Sequence, residues 1–123
     1  MRILKTDLVD ILLACVSGKL SEQKIEWENF SVCTVMCASK GYPGNYEKGK
    51  EISGLDNLEK DIVVFHAGTK EQDGKIVTNG GRVLGVSATG KDLKEAIKKA
   101  YKAIEGISFD GMQFRKDIGA KSI

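Results

Sequence analysis

Three stretches that combine glycine with basic residues are the parts of the sequence best suited to holding an anion. SKGYPGNYEKGK, Ser39 to Lys50, brings Gly41, Gly44 and Gly49 together with Lys40, Lys48 and Lys50, and places the chain's only proline, Pro43, between two glycines. Glycine admits left-handed backbone and close approach of amide groups, and lysines supply positive charge nearby. TNGGRVLGV sets Arg82 directly after Gly80 and Gly81, where a guanidinium can reach a carboxylate or phosphate through two parallel hydrogen bonds. FRKDIG joins Arg115 and Lys116 to Asp117 near the end of the chain. Composition alone favours ordinary surface turns and solvated ion pairs at all three places.

Other chemistry is harder to assemble. The P-loop and dinucleotide fingerprints are both missing. His66 is the sole histidine, so Cys33 and Cys37, four apart, have no second pair to complete a tetrahedral zinc set. His66 itself, in VVFHAGT, reads as a satisfied structural group at a strand end. No serine or cysteine has an assignable His–Asp partner, and no close pair of carboxylates suggests acid–base work. With Cys15 the cysteines number three, and they read as reduced thiols suited to a cytoplasm.

Bulk properties narrow the class further. The chain has 123 residues, enough for one domain or one domain plus an attached element. Nineteen basic against seventeen acidic residues give a net charge of +2 with no block of one sign, which argues against a nucleic-acid or membrane partner. The longest apolar run, Ile11 to Val16, is too short to cross a bilayer, and Asp7 and Asp10 interrupt any signal-peptide core.

The elements that must position the basic residues follow from periodicity. KTDLVDILLACVSGKL reads as a helix with Thr6 as its cap, Leu8, Ile11, Leu12, Cys15 and Val16 on one face, and Gly18 at its end. FSVCTVMCA and DIVVFHAG read as strands. The turn signals Asp73-Gly74 and Asn79-Gly80-Gly81 divide the next region into a β-meander, with strands at Lys75 to Thr78 and Arg82 to Ala88. In KDLKEAIKKAYKAIEG, the residues Leu93, Ala96, Ile97, Ala100, Tyr101 and Ile104 recur at helical spacing, and Gly106 is placed to stop the helix. The expected fold class is α+β, mainly β. It is an antiparallel open barrel or sandwich of about five strands with one packed amphipathic helix, plus an N-terminal helix.

Taken in order, ASKGYPGNYEKGKEISG, VFHAGT, VTNGGRVLGV and FRKDIG, with the AIKKAY helix between the last two, resemble the C-terminal domain of the phosphoribosylamine–glycine ligase family. The resemblance runs over essentially the whole chain. It implies a barrel of the rudimentary single-hybrid-motif type. It also implies an ATP-dependent ligase of purine synthesis that joins glycine to 5-phosphoribosylamine through a glycyl phosphate. KTDLVDILLACVSGKL resembles the stretch that links the family's ATP-grasp domain to this one. Residues 1–22 are therefore expected to be the end of that domain, and 23–123 the C-terminal domain. ATP and Mg2+ would bind in the upstream part, which would be this chain's partner, together with the small-molecule substrates. By analogy with related ATP-grasp enzymes, Lys40, Gly41, Gly44, Gly80, Gly81, Arg82, Arg115 and Lys116 are expected to line the substrate cleft. Arg115 and Lys116 would take the ribose phosphate, and Gly80-Gly81-Arg82 the glycine or amine side. No catalytic or metal-binding residue is expected within the chain, which should be inactive alone and cytoplasmic. The alternative is a non-catalytic binding module of barrel-sandwich type, in which Lys75, at the Asp73-Gly74 turn, would carry a prosthetic group.

Overall fold

Alternating burial builds the central sheet. In the computed structural model, which describes residues 1–122, β1 (Ser31–Ala38) buries Cys33, Val35 and Cys37 and leaves Thr34 and Met36 exposed. A period of two puts these sets on opposite faces of the strand. β1 pairs with β5 (Arg82–Gly90), β5 pairs with β2 (Ile62–His66), and the two-residue β6 (Gln113–Phe114) adds to the free edge of β1. Every pairing is antiparallel, and the strand order is β2-β5-β1-β6. β5 lies between two neighbours and is buried continuously from Val83 to Ala88, which explains its near-unbroken apolar sequence.

One face of this sheet is covered by α2 (Leu93–Glu105), which packs on β5 and β1. Asp92 caps the helix by accepting the Glu95 amide at 2.8 Å, and Glu95 accepts the Lys91 amide at 2.9 Å. Ala96, Ala100 and Ile104 form the buried stripe, with two alanines letting the helix lie close to the strands. Ile104 is 1% exposed, and its burial contributes roughly 2 kcal/mol. Gly106 is the C-cap, where the spacing placed it.

β3 (Thr69–Gln72) and β4 (Lys75–Thr78) form a separate hairpin. Its turn residues Asp73 and Gly74 both have positive φ, 53° and 74°, as a two-residue hairpin loop requires. Residues 50–52 run along β4: Ile52 N–H donates to the Ile76 carbonyl at 2.9 Å and Thr78 N–H to Lys50 at 2.8 Å.

Three expectations are corrected here. The meander stops at β4, because β5 leaves the hairpin and inserts between β1 and β2. Gly80 and Gly81 are also outside the positive-φ region, so they do not form the hairpin turn expected of them. The N-terminal helix α1 (Leu8–Val16) is capped by Asp7, whose carboxylate accepts the Val9 amide at 2.7 Å. Thr6 is used elsewhere: its hydroxyl accepts the Glu26 amide at 2.7 Å and joins the chain end to residues 24–26.

α1 buries none of its residues. Leu8, Val9, Leu12, Leu13 and Val16 are all exposed, Val16 by 89%. What ties this end to the sheet is Arg2, whose guanidinium donates to the carbonyls of Ser87, at 2.7 Å, and Asp61, at 3.2 Å. No helix among the described residues is long and apolar enough to cross a membrane.

Candidate functional site

The face of the sheet away from α2 carries the candidate site. Ala38 stands opposite Arg82 on β5 and Gln113 on β6, at a register shift between Cys37 and Ala38. A cavity of about 350 Å³ opens there, lined by Met36, Ala38, Tyr42, Arg82, Gln113, Phe114 and Arg115. Two arginines 33 positions apart in sequence thus share one concavity.

The loop after β1 is folded against the turn before β5. The Ser39 amide donates to the Gly81 carbonyl at 2.8 Å, and the Ser39 hydroxyl to Gly80 at 2.9 Å. The Tyr42 ring fills the place a Cβ on Gly81 would need; a Cβ on Gly68 would clash with the Arg82 carbonyl and the Gly80 Cα, and one on Gly80 would be tight against Gly68. The absence of side chains at Gly80 and Gly81 therefore has a packing reason: it brings the Tyr42 loop onto the start of β5 and sets where Arg82 emerges. Gln113 closes the wall by donating its amide to the Tyr42 carbonyl at 3.2 Å. Gly41, at φ 91°, is wedged against the Asn45 carbonyl, and Gly44 faces the Gly41 carbonyl, so both shape the loop from inside.

Electrostatically the two arginines differ. Arg82 takes part in no salt bridge among the described residues. Arg115 makes a fork with Asp117, Nε to Oδ1 at 2.9 Å and Nη2 to Oδ2 at 2.6 Å. These hydrogen bonds lower the pKa of Asp117 and raise that of Arg115. The fork uses only part of the guanidinium, and its remaining N–H groups are available to a second acceptor.

Lys40 lies outside this cavity. It rests against Gly111 and lines a neighbouring cavity of about 580 Å³ with Asn45, Tyr46, Glu47, Lys50 and Asp110. There Lys50 is held between Glu47 and Asp110, at 2.8 and 3.2 Å, and these contacts raise its pKa. Lys116 is exposed on the turn after Arg115 and lines neither cavity. The structure therefore brings Arg82 and Arg115 into one cavity, puts Lys40 in the neighbouring one, and leaves Lys116 outside both. Tyr42 and Gln113 were not singled out from sequence. Their part depends on strand register and on contacts across more than forty residues, which no local spacing shows.

Remaining candidates are accounted for by local contacts. His66 Nδ1 and the Thr69 hydroxyl lie 2.9 Å apart in a hydrogen bond, a satisfied structural histidine. Lys75 is paired with Glu51 at 2.8 Å on the hairpin surface. Among the described residues, no three His, Cys, Asp or Glu side chains converge to hold a metal ion.

Comparison with known proteins shows the family. The profile of the family described as "Phosphoribosylglycinamide synthetase, C domain" matches residues 32–121. The chain belongs to that family. It is 53% identical over 118 residues to the phosphoribosylamine–glycine ligase of Caldanaerobacter subterraneus subsp. tengcongensis, covering 96% of this chain and 28% of that one. It is 50% identical over 123 residues to the corresponding ligase of Synechocystis sp., covering 98% of this chain and 29% of the relative. The crystal structure of phosphoribosylamine–glycine ligase from Thermotoga maritima is similar in fold, with a TM-score of 0.69 at 40% identity. The match covers 87% of this chain and 27% of the other. The chain thus spans less than a third of the length of these relatives and corresponds to their C domain.

Proposed function

We propose that this chain forms one wall of the cleft of a phosphoribosylamine–glycine ligase, with Arg82 and Arg115 gripping the phosphate of the sugar amine. The supporting observation is their meeting in one cavity on the sheet face that α2 leaves uncovered. A phosphate presents several acceptor oxygens, and two planar guanidinium forks match them better than point charges do. Lys116 adds longer-range attraction at the rim. Lys40, Gly41 and Gly44 belong to the loop that faces the rest of the cleft, and Gly80 and Gly81 set the height of Arg82 on its strand.

In this reading the chain contributes positioning. ATP, with Mg2+, activates the glycine carboxylate as an acyl phosphate in the upstream part of the enzyme, and the sugar amine then displaces phosphate. Anchoring the amine's own phosphate here turns that encounter into one between held partners, a constraint that lowers the barrier by avoiding the entropy cost of bringing them together. Residues 1–22 are assigned to the end of the ATP-grasp domain, whose surface would cover the exposed apolar side of α1. We also place the fold in the barrel-sandwich class, because residues 50–52 extend the β3–β4 hairpin into a second layer. The buried reduced thiols suit a cytoplasmic enzyme.

The test joins this chain to the upstream part of the Caldanaerobacter relative and measures steady-state kinetics. Arg115→Ala should raise the KM for phosphoribosylamine about tenfold or more and leave that for ATP unchanged, as loss of a charged hydrogen-bond pair implies. An equal effect on both substrates removes the assignment.

A further inference from the structure

Just past β6, the turn that carries Arg115 is held by a single side chain from α2. The Tyr101 hydroxyl donates to the Arg115 carbonyl at 2.8 Å and accepts the Ile118 amide at 3.0 Å. One oxygen therefore closes both ends of a four-residue turn, using its donor and its acceptor capacity together. The Tyr101 ring is itself fixed, tilted at 44° against Phe114 with centroids 6.3 Å apart. Beyond the turn, Gly119 lies against the Ile97 side chain, again on α2, so that a Cβ there would meet it. The turn is thus fastened to the helix while Arg115 lines the cavity it shares with Arg82.

We propose that Tyr101 is a positioning residue for anion binding, acting through Arg115. The proposal rests on the phosphate reading given above. A guanidinium on an exposed, untethered turn would sample many directions, and ordering it would reduce the affinity for any anion. Tyr101 performs that ordering in advance. Asp117, inside the pinned turn, completes it by holding the Arg115 fork in plane. The hydroxyl touches no substrate. Its effect should therefore vanish when Arg115 is absent, which separates it from a residue that merely stabilises the fold.

The experiment titrates the 123-residue chain with ribose 5-phosphate, a stable relative of the sugar amine, and follows backbone amide signals by NMR. In the unsubstituted chain the Arg115 and Lys116 amides should shift on titration. Bound ribose 5-phosphate should also slow hydrogen exchange at Ile118, because a ligand that selects the pinned turn must stabilise it. Tyr101→Phe should leave core amide shifts in place, speed Ile118 exchange about tenfold, and weaken ribose 5-phosphate about three- to tenfold. Arg115→Ala should abolish saturable binding, and the double variant should match Arg115→Ala alone. Normal affinity in Tyr101→Phe, with binding lost in Arg115→Ala, overturns the role of Tyr101 and leaves the phosphate reading standing. Unchanged binding in Arg115→Ala, or no shift in the unsubstituted chain, overturns the phosphate reading and the inference with it. If Tyr101→Phe does not fold, the Ile118 exchange measurement decides, and absence of ligand protection there overturns the proposal.

Discussion

The two helices of this molecule have similar claims in sequence and opposite fates in structure. α2 presents a narrow apolar stripe, buries Ala96, Ala100 and Ile104 against the sheet, and through Tyr101 holds the turn that carries Arg115. α1 is the more apolar of the two, yet it buries nothing and turns Leu8, Leu12 and Val16 to solvent. Apolar content alone thus says only that a helix needs a covering surface. The surface for α2 lies within the chain; the one for α1 is assigned above to sequence outside it. The site sits on the α2 side of this division, in the part that has its own core.

Substitution energetics give the widest separation between the two. Ile104→Ala should destabilise the chain by about 3 kcal/mol, because it empties a fully buried position beneath the sheet. Leu12→Ala should change stability by less than about 0.5 kcal/mol, as expected of an exposed residue. Chemical denaturation monitored by circular dichroism checks both. A Leu12→Ala loss approaching that of Ile104→Ala would mean α1 is packed within this chain after all.

The cysteines resolve the same division with smaller effects. Cys15, on α1, is exposed, while Cys33 and Cys37 on β1 are buried, and burial pushes the Cys37 thiol up from 9.0 to about 11. A maleimide reagent at neutral pH should therefore modify Cys15 in the native chain and reach Cys33 and Cys37 only after unfolding. Because the folded pKa of Cys37 lies above its unfolded value, its stabilising contribution is complete below pH 9. It is lost between pH 9 and about 11, as the unfolded thiol ionises first. Cys37→Ala should flatten that alkaline decline. Rapid native labelling at all three sites would show β1 to be as open as α1.

Much of this was readable before any coordinates, for identifiable reasons. α2 was legible because its period of 3.6 and Gly106 agree, while its cap Asp92 came only with the structure. β1 and β5 were legible from β-branched runs, and the Asp73-Gly74 hairpin from its turn chemistry. The cap of α1 was misplaced by one residue because Thr6 and Asp7 are both competent caps, and only the distant Glu26 amide decides between them. The meander failed for a related reason: Gly80 and Gly81 serve contacts with Gly68 and Tyr42, and not a positive-φ turn. Within the site, Arg82 and Arg115 could each be marked as anion ligands, but their meeting depends on a register shift and on a two-residue strand. Neither has a local signature. Lys40 was grouped with them by composition and stands in the neighbouring cavity.

The most direct trial of the cleft-wall reading is an assay of ADP release with ATP, glycine and phosphoribosylamine. It compares the chain alone, the upstream part of the Caldanaerobacter ligase alone, and the two mixed. Release should be absent from either piece and restored on mixing. Turnover by the chain alone, or a folded mixture that stays inactive, would contradict it.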